Sequence, residues 1–220
     1  MKISHLVTVQ VLFVSICLLF SCGLPSFTII EAPVKTTPTN ATTEASFNAP
    51  SDTSHIHGYE IYYKIYPNNS PKIASDRELF NIENPSYAWE FGDTKLVKNK
   101  FHRLQYGVIN AETSLKNSPL ISESYLPAGT ELVIEVISER DSSITANGSN
   151  IGIPLRIVFE DNILKHFGSN VVSSDSDSNG VSTGELYSIS FVAYSRRHMI
   201  ETAYNNSVPV FLGTINNRLN

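Results

Sequence analysis

Three side chains that could hold a cation stand at every second position of one stretch. They are Asp175, Asp177 and Asn179, separated by serines and closed by Gly180. Oxygen ligands at alternate positions before a bend-making glycine are the opening of a calcium loop. The full pattern ends on a bidentate glutamate; that position here is Leu186, and Glu185 falls one short. A shortened loop could hold calcium through the three side chains and a backbone carbonyl, whereas the same composition also suits a solvated loop between strands. His55 and His57 are two apart and would share a face of an extended chain, a spacing that suits zinc once a third ligand joins. Arg196-Arg197-His198 is a small basic cluster that reads either as a contact for an anionic partner or as exposed loop charge. Sequence signatures of hydrolysis and phosphate transfer are absent: there is no Gly-x-Ser-x-Gly, no His-Glu-x-x-His and no phosphate-cradling glycine loop. A triad dispersed along the chain leaves no such trace.

The remaining reactive groups are two thiols, Cys17 and Cys22. Both follow a mildly basic start, Met1-Lys2-Ile3-Ser4-His5, and an apolar run from Leu6 to Phe20 broken only by Thr8, Gln10 and Ser15. That run is too short to span a ~30 Å hydrocarbon core, which takes ~20 apolar residues, and its length fits the apolar part of a secretory signal. An ordinary cleavage site wants small residues at both −1 and −3, and Leu19 is not small. Leu19-Phe20-Ser21-Cys22 instead resembles the lipobox of bacterial lipoproteins. The resemblance implies that residues 1–21 are removed, that Ser21 is the −1 residue, and that the Cys22 thiol carries a diacylglycerol. Phe20 departs from the small residue usual at −2. Cys17 would leave with the signal, so Cys22 would be a lone cysteine in an exported chain, and lipidation accounts for it. Two or more acyl chains hold a protein to a membrane firmly where one does not. The expected location is therefore the cell envelope, and the expected partner the membrane, reached through that lipid.

Composition narrows the rest. The formal net charge is −5, from 16 Lys+Arg against 21 Asp+Glu, which argues against a nucleic-acid partner and against attraction to anionic lipid by overall charge. Ser, Thr, Tyr, Ile and Val abound, a usage that favours strands.

Residues 22–44 are expected to be the lipidated cysteine and a Pro/Thr-rich tether, or alternatively to include a first edge strand interrupted by proline. Beyond them, period-two alternation marks strands. Tyr59, Ile61, Tyr63 and Ile65 fall on one face; Glu60, Tyr62, Lys64 and Tyr66 fall on the other. Ser75 with Glu78 suggests a capped helical turn. Tyr87–Phe91 reads as a strand with Trp89 in the core. Further strands are expected over 131–137, over 153–159 with Ile153, Leu155, Ile157 and Phe159 facing inward, at Val171–Val172, over 185–194 and over 208–215. Polar loops are expected at 141–150 and 173–184. About nine or ten strands at regular spacing imply an all-β fold, an antiparallel β-sandwich or two packed sandwich halves, divided as regions 45–125 and 126–220.

Phe47-Asn48-Ala49-Pro50-Ser51-Asp52 with Gly58-Tyr59-Glu60-Ile61-Tyr62-Tyr63 resembles the second and third strands of a fibronectin type III module. In that resemblance Phe47 takes the place of the family's core Trp, and Leu104–Glu112 is similar to its Tyr-bearing sixth strand. His57–Tyr66 also resembles a stretch of spirochaete, notably treponemal, lipoproteins. Fold analogy then implies a non-catalytic binding or structural module with its ligand at loops on one end, 141–150 or 173–184. No cofactor is expected beyond the lipid on Cys22, apart from calcium at Asp175, Asp177 and Asn179. The alternatives are a calcium-stabilised adhesion module and an envelope enzyme with a dispersed site.

Overall fold

The alternation around Tyr59–Tyr66 produces a twelve-residue strand, and the other elements are arranged on it. The structure, a computed structural model, describes residues 30–38, 43–80, 93–107, 119–137, 141–158, 163–167, 171–197 and 206–218. In chain order the strands are β1 (Val34–Lys35), β2 (Glu44–Asn48), β3 (Ile56–Pro67), β4 (His102–Arg103), β5 (Gln105–Gly107), β6 (Ile121–Ser122), β7 (Glu131–Glu135), β8 (Ser143–Ala146), β9 (Ser149–Val158), β10 (Ile163–His166), β11 (Tyr187–Arg197) and β12 (Val210–Arg218). Two short helices, α1 (Lys72–Glu78) and α2 (Asp93–Lys98), follow β3.

One sheet runs β12-β11-β3-β4, with β6 also on β3; the other runs β1-β2-β7-β8-β9-β10, with β5 also on β9. All the pairings are antiparallel. β11 accompanies β3 along its length, from Tyr187 opposite Pro67 to Arg197 opposite Ile56. The fold is thus an antiparallel all-β sandwich. Regions 45–125 and 126–220 supply strands to both sheets: β2 pairs with β7, β3 with β11 and β5 with β9.

Period two decides what lies between the sheets. Tyr59, Ile61, Tyr63 and Ile65 of β3 meet Tyr187, Ile189, Phe191 and Ala193 of β11, and face Ala45, Phe47, Leu132, Ile134, Ile144 and Ala146 across the core. A register shift in β12 falls between Phe211 and Gly213 and turns Leu212 into the same core. The outer face of β3 is covered as well. Tyr62 joins Val192 and Tyr194 beneath Leu96 of α2 and Phe101, with Phe80 and Phe211 packed against them. The charged residues on that face are buried in pairs: Glu60 accepts from Arg103 Nε at 2.6 Å and from Arg196 Nη1 at 2.8 Å.

Several local expectations change. Residues 34–38 are ordered onto the sheet: β1 pairs with β2, and the Thr37 hydroxyl both donates to Ser46 O and accepts from Ser46 N. The helical turn begins at Lys72, after Pro71, and Ser75 lies inside it, its Oγ donating to Lys72 O. The supposed polar loop 141–150 contains β8, because Asn147 (φ 50°) and Gly148 (φ 72°) make a two-residue hairpin turn into β9. In β9 Leu155 is buried as expected, but the fully enclosed side chain is Arg156, while Ile153 and Ile157 are only partly covered. Val171–Val172 forms no strand, although Val171 is fully buried. Of Leu104–Glu112, likened to a sixth strand, Gln105–Gly107 pair with β9 and residues 108–112 lie outside the described residues; His102–Arg103, just before it, pair with β3. Cys22, Tyr87–Phe91 with Trp89, and Phe159 lie outside the described residues.

Candidate functional site

The Asp-Ser-Asp-Ser-Asn-Gly stretch folds as consecutive tight turns. Asp175 N donates to Val172 O, Ser178 N to Asp175 O and Val181 N to Ser178 O. Val171 and Val181 fix the two ends in the core. The Asp175 and Asp177 side chains are both buried and point inward. Arg156 Nη1 donates to Asp177 Oδ1 at 2.7 Å and Arg156 Nη2 to Asp175 Oδ2 at 2.6 Å. Lys165 Nζ lies 2.5 Å from Asp175 Oδ1, and the Tyr63 hydroxyl donates to Asp177 Oδ2 at 2.7 Å. Arg156 Nε completes the fork on His166 O at 3.1 Å. Asn179 donates to Ile65 O, which ties the loop to β3.

A guanidinium thus occupies the position between the carboxylates where a bound cation would sit. Burial pushes the Asp175 carboxyl up, but hydrogen bonds from Lys165, Arg156 and the Val172 N–H outweigh it and hold the group below the usual carboxylate range. Burial, joined by the charge of Asp177, raises the Tyr63 phenol well above its ordinary value. Among the described residues, no three His, Cys, Asp or Glu side chains converge as a metal cage. His55 and His57 gather no such set; His57 Nδ1 lies 3.8 Å from Glu123 Oε2. Arg196 of the predicted basic cluster belongs to β11 and pairs with Glu60.

The outward side of this loop forms one wall of a cleft of about 840 Å³. The end of β3 supplies Lys64 and Tyr66, the start of α1 supplies Lys72, the exit from α2 supplies Lys98, Asn99 and Lys100, and the loop supplies Ser176, Ser178 and Asn179. Lys64 is held by Asp76 of α1, which also accepts from the Tyr66 hydroxyl at 2.8 Å. His102 lines the cleft too. Burial lowers its pKa from the ordinary 6.5; Asp177 opposes the shift and Lys64 adds to it. Among the described lining residues, four lysines and a histidine therefore stand against one acid, Asp175, whose charge Arg156 and Lys165 already meet.

How α2 ends sets the shape of that rim. Lys100 N donates to Val97 O and Phe101 N to Leu96 O, both at 2.9 Å. Lys100 itself has φ 61°. These are the two bonds and the left-handed residue of a Schellman motif, with the Leu96–Phe101 apolar contact that accompanies it. The left-handed position is one that glycine usually takes.

The sequence pointed to the 173–184 loop, and that loop is where the cleft lies. It gave no reason to single out Arg156, Lys98 or Lys100. Arg156 was hidden in an apolar alternating run, and the lysines looked like ordinary surface charge. The signal that existed was Lys98-Asn99-Lys100-Phe101 after a helix, an end motif with lysine where glycine belongs. No family model matches the chain, and no curated protein or solved structure matches it either.

Proposed function

We propose that this chain is an exported bacterial lipoprotein, held at the cell envelope through diacylglycerol on Cys22. Its sandwich works without catalysis as a binding module. The anchor rests on the apolar run, on Leu19-Phe20-Ser21-Cys22 and on the lone cysteine that would remain. Among the described residues no helix is long and apolar enough to cross a membrane. The observation that carries the binding role is the cleft. Four separate segments of chain bring polar side chains to one concavity, next to a loop fixed by buried ion pairs. Preorganised concave sites with convergent polar groups are where ligands bind.

Two experiments test the reading. In detergent phase partitioning the wild type enters the detergent phase and Cys22→Ser does not; equal partitioning would remove the anchor. For the cleft, the full chain in micelles is titrated with three ligand classes: phosphate anions, neutral glycan fragments and short peptides. The NMR signals of Asn99, Asn179 and Gly180 move with at least one class. If no class moves them, the module does not bind there; if one is chemically converted, the non-catalytic reading fails.

A further inference from the structure

We propose that the ligand of this cleft carries phosphate. The inference deepens the binding reading above and rests on it. The chain is acidic overall, at net −5, yet this concavity is lined by Lys64, Lys72, Lys98 and Lys100. Lys64 is paired with Asp76. Among the described residues, Lys72, Lys98 and Lys100 have no acidic partner. Three ammonium groups without an acid beside them among the described residues give the concavity a positive field, which draws a multiply charged anion. The Ser70 hydroxyl, which lines the same concavity, supplies a neutral hydrogen-bond donor of the kind phosphate oxygens accept.

Two of these lysines stand where local stability would place something else. Lys100 takes the left-handed residue of the α2 end motif, a place that costs any side chain with a Cβ and costs glycine nothing. Lys72 opens α1, whose first turn holds no acid; a cation at the positive end of a helix is the disfavoured arrangement. Local choices that oppose the fold mark positions where another requirement wins. Here both bring positive charge to the same cleft.

Lysine footprinting on the full chain, reconstituted in phosphatidylcholine vesicles, tests this. Acetylation rates at Lys72, Lys98 and Lys100 are read by mass spectrometry, with exposed Lys35 as internal control. Adding pyrophosphate, or replacing part of the lipid by phosphatidylglycerol, distinguishes a free phosphate anion from a lipid headgroup. The expected result is slowed acetylation of the three cleft lysines with Lys35 unchanged, in one arm or the other. Lys100→Gly then raises the pyrophosphate or phosphatidylglycerol content needed to protect Lys98 roughly fivefold, while its melting temperature stays level or rises. The second readout separates lost charge from lost structure. Unchanged rates in both arms, or protection indifferent to Lys100→Gly, overturn the phosphate inference. If the glycans or peptides of the panel still move the cleft signals, the binding reading survives; if nothing moves them, both fall.

Discussion

Replacing Arg156 by methionine keeps much of the side chain's length and removes its fork. Two enclosed carboxylates, Asp175 and Asp177, then lose their shared partner. Breaking a buried pair by deleting one member costs about 3–5 kcal/mol, because the charge left behind stays out of water. Arg156→Met is expected to lower unfolding free energy by that amount in urea denaturation. Changing both aspartates to asparagine in the same protein returns a good part of it. A loss as small as an exposed pair gives, ~1 kcal/mol or less, would mean the loop is not held by this network. Acid probes the same groups. The Asp175 carboxyl sits below its ordinary 3.8 in the folded chain, so its contribution is fully present above that value and is lost as pH falls through the lowered one. His102 sits below 6.5 when folded. The unfolded chain takes a proton there that the folded chain refuses, so stability also falls as pH drops from 6.5. Melting temperature against pH should therefore decline in two stages, and His102→Asn should abolish the upper one. An upper stage that persists in that variant would assign it to another group.

Among the elements, the pairing of β6 with β3 depends on space at one glycine. Gly58 has φ 159°, which residues with a side chain rarely adopt, and it is crowded as well. A Cβ there would lie 2.2 Å from Ile121 O and 2.6 Å from Pro119 Cβ. Gly58→Ala must push β6 away from β3, an overpacking that costs about 1–3 kcal/mol. Amide hydrogen exchange at Ile121 and Ser122 should quicken more than elsewhere. If exchange there is unchanged, the two strands are not in such close contact. The legibility of elements followed the same physics. β3, β7 and β11 could be read because one face of each is uniformly apolar over several turns of the pleat. What could not be read was the second burial of β3, since Glu60 and Lys64 look solvent-facing until Arg103, Arg196 and Asp76 are seen beside them. In β9 Leu155 is buried as expected, but the burial of Arg156 was missed for a related reason: two aspartates from a distant loop meet it. β8 was legible and overlooked. Asn147-Gly148 between alternating residues is a hairpin signal, and the polar composition around it obscured the turn. Of the site, the loop could be located from sequence; the cleft could not, because its lysines come from segments joined only by the fold.

At the scale of the molecule, the two halves of the chain are interleaved. Each sheet joins strands from before and after residue 125, and the core between them draws on both. Residues 45–125 alone would leave β2 without β7 and β3 without β11, exposing long unpaired edges and the apolar face of Tyr59, Ile61, Tyr63 and Ile65. Neither half can bury its apolar face by itself, so neither should be stable alone. The buried pairs strengthen that dependence, since Tyr63 donates to Asp177 and Asn179 to Ile65, each across 114 residues of sequence. The full chain is therefore expected to melt in one transition. Its calorimetric and van't Hoff enthalpies should agree, and near- and far-ultraviolet circular dichroism should follow the same curve. A fragment spanning 45–125 should show no cooperative melt and no near-ultraviolet signal from its tyrosines. If that fragment melted cooperatively, it would be a module in its own right, and the interleaved sheets would not be what holds this protein together.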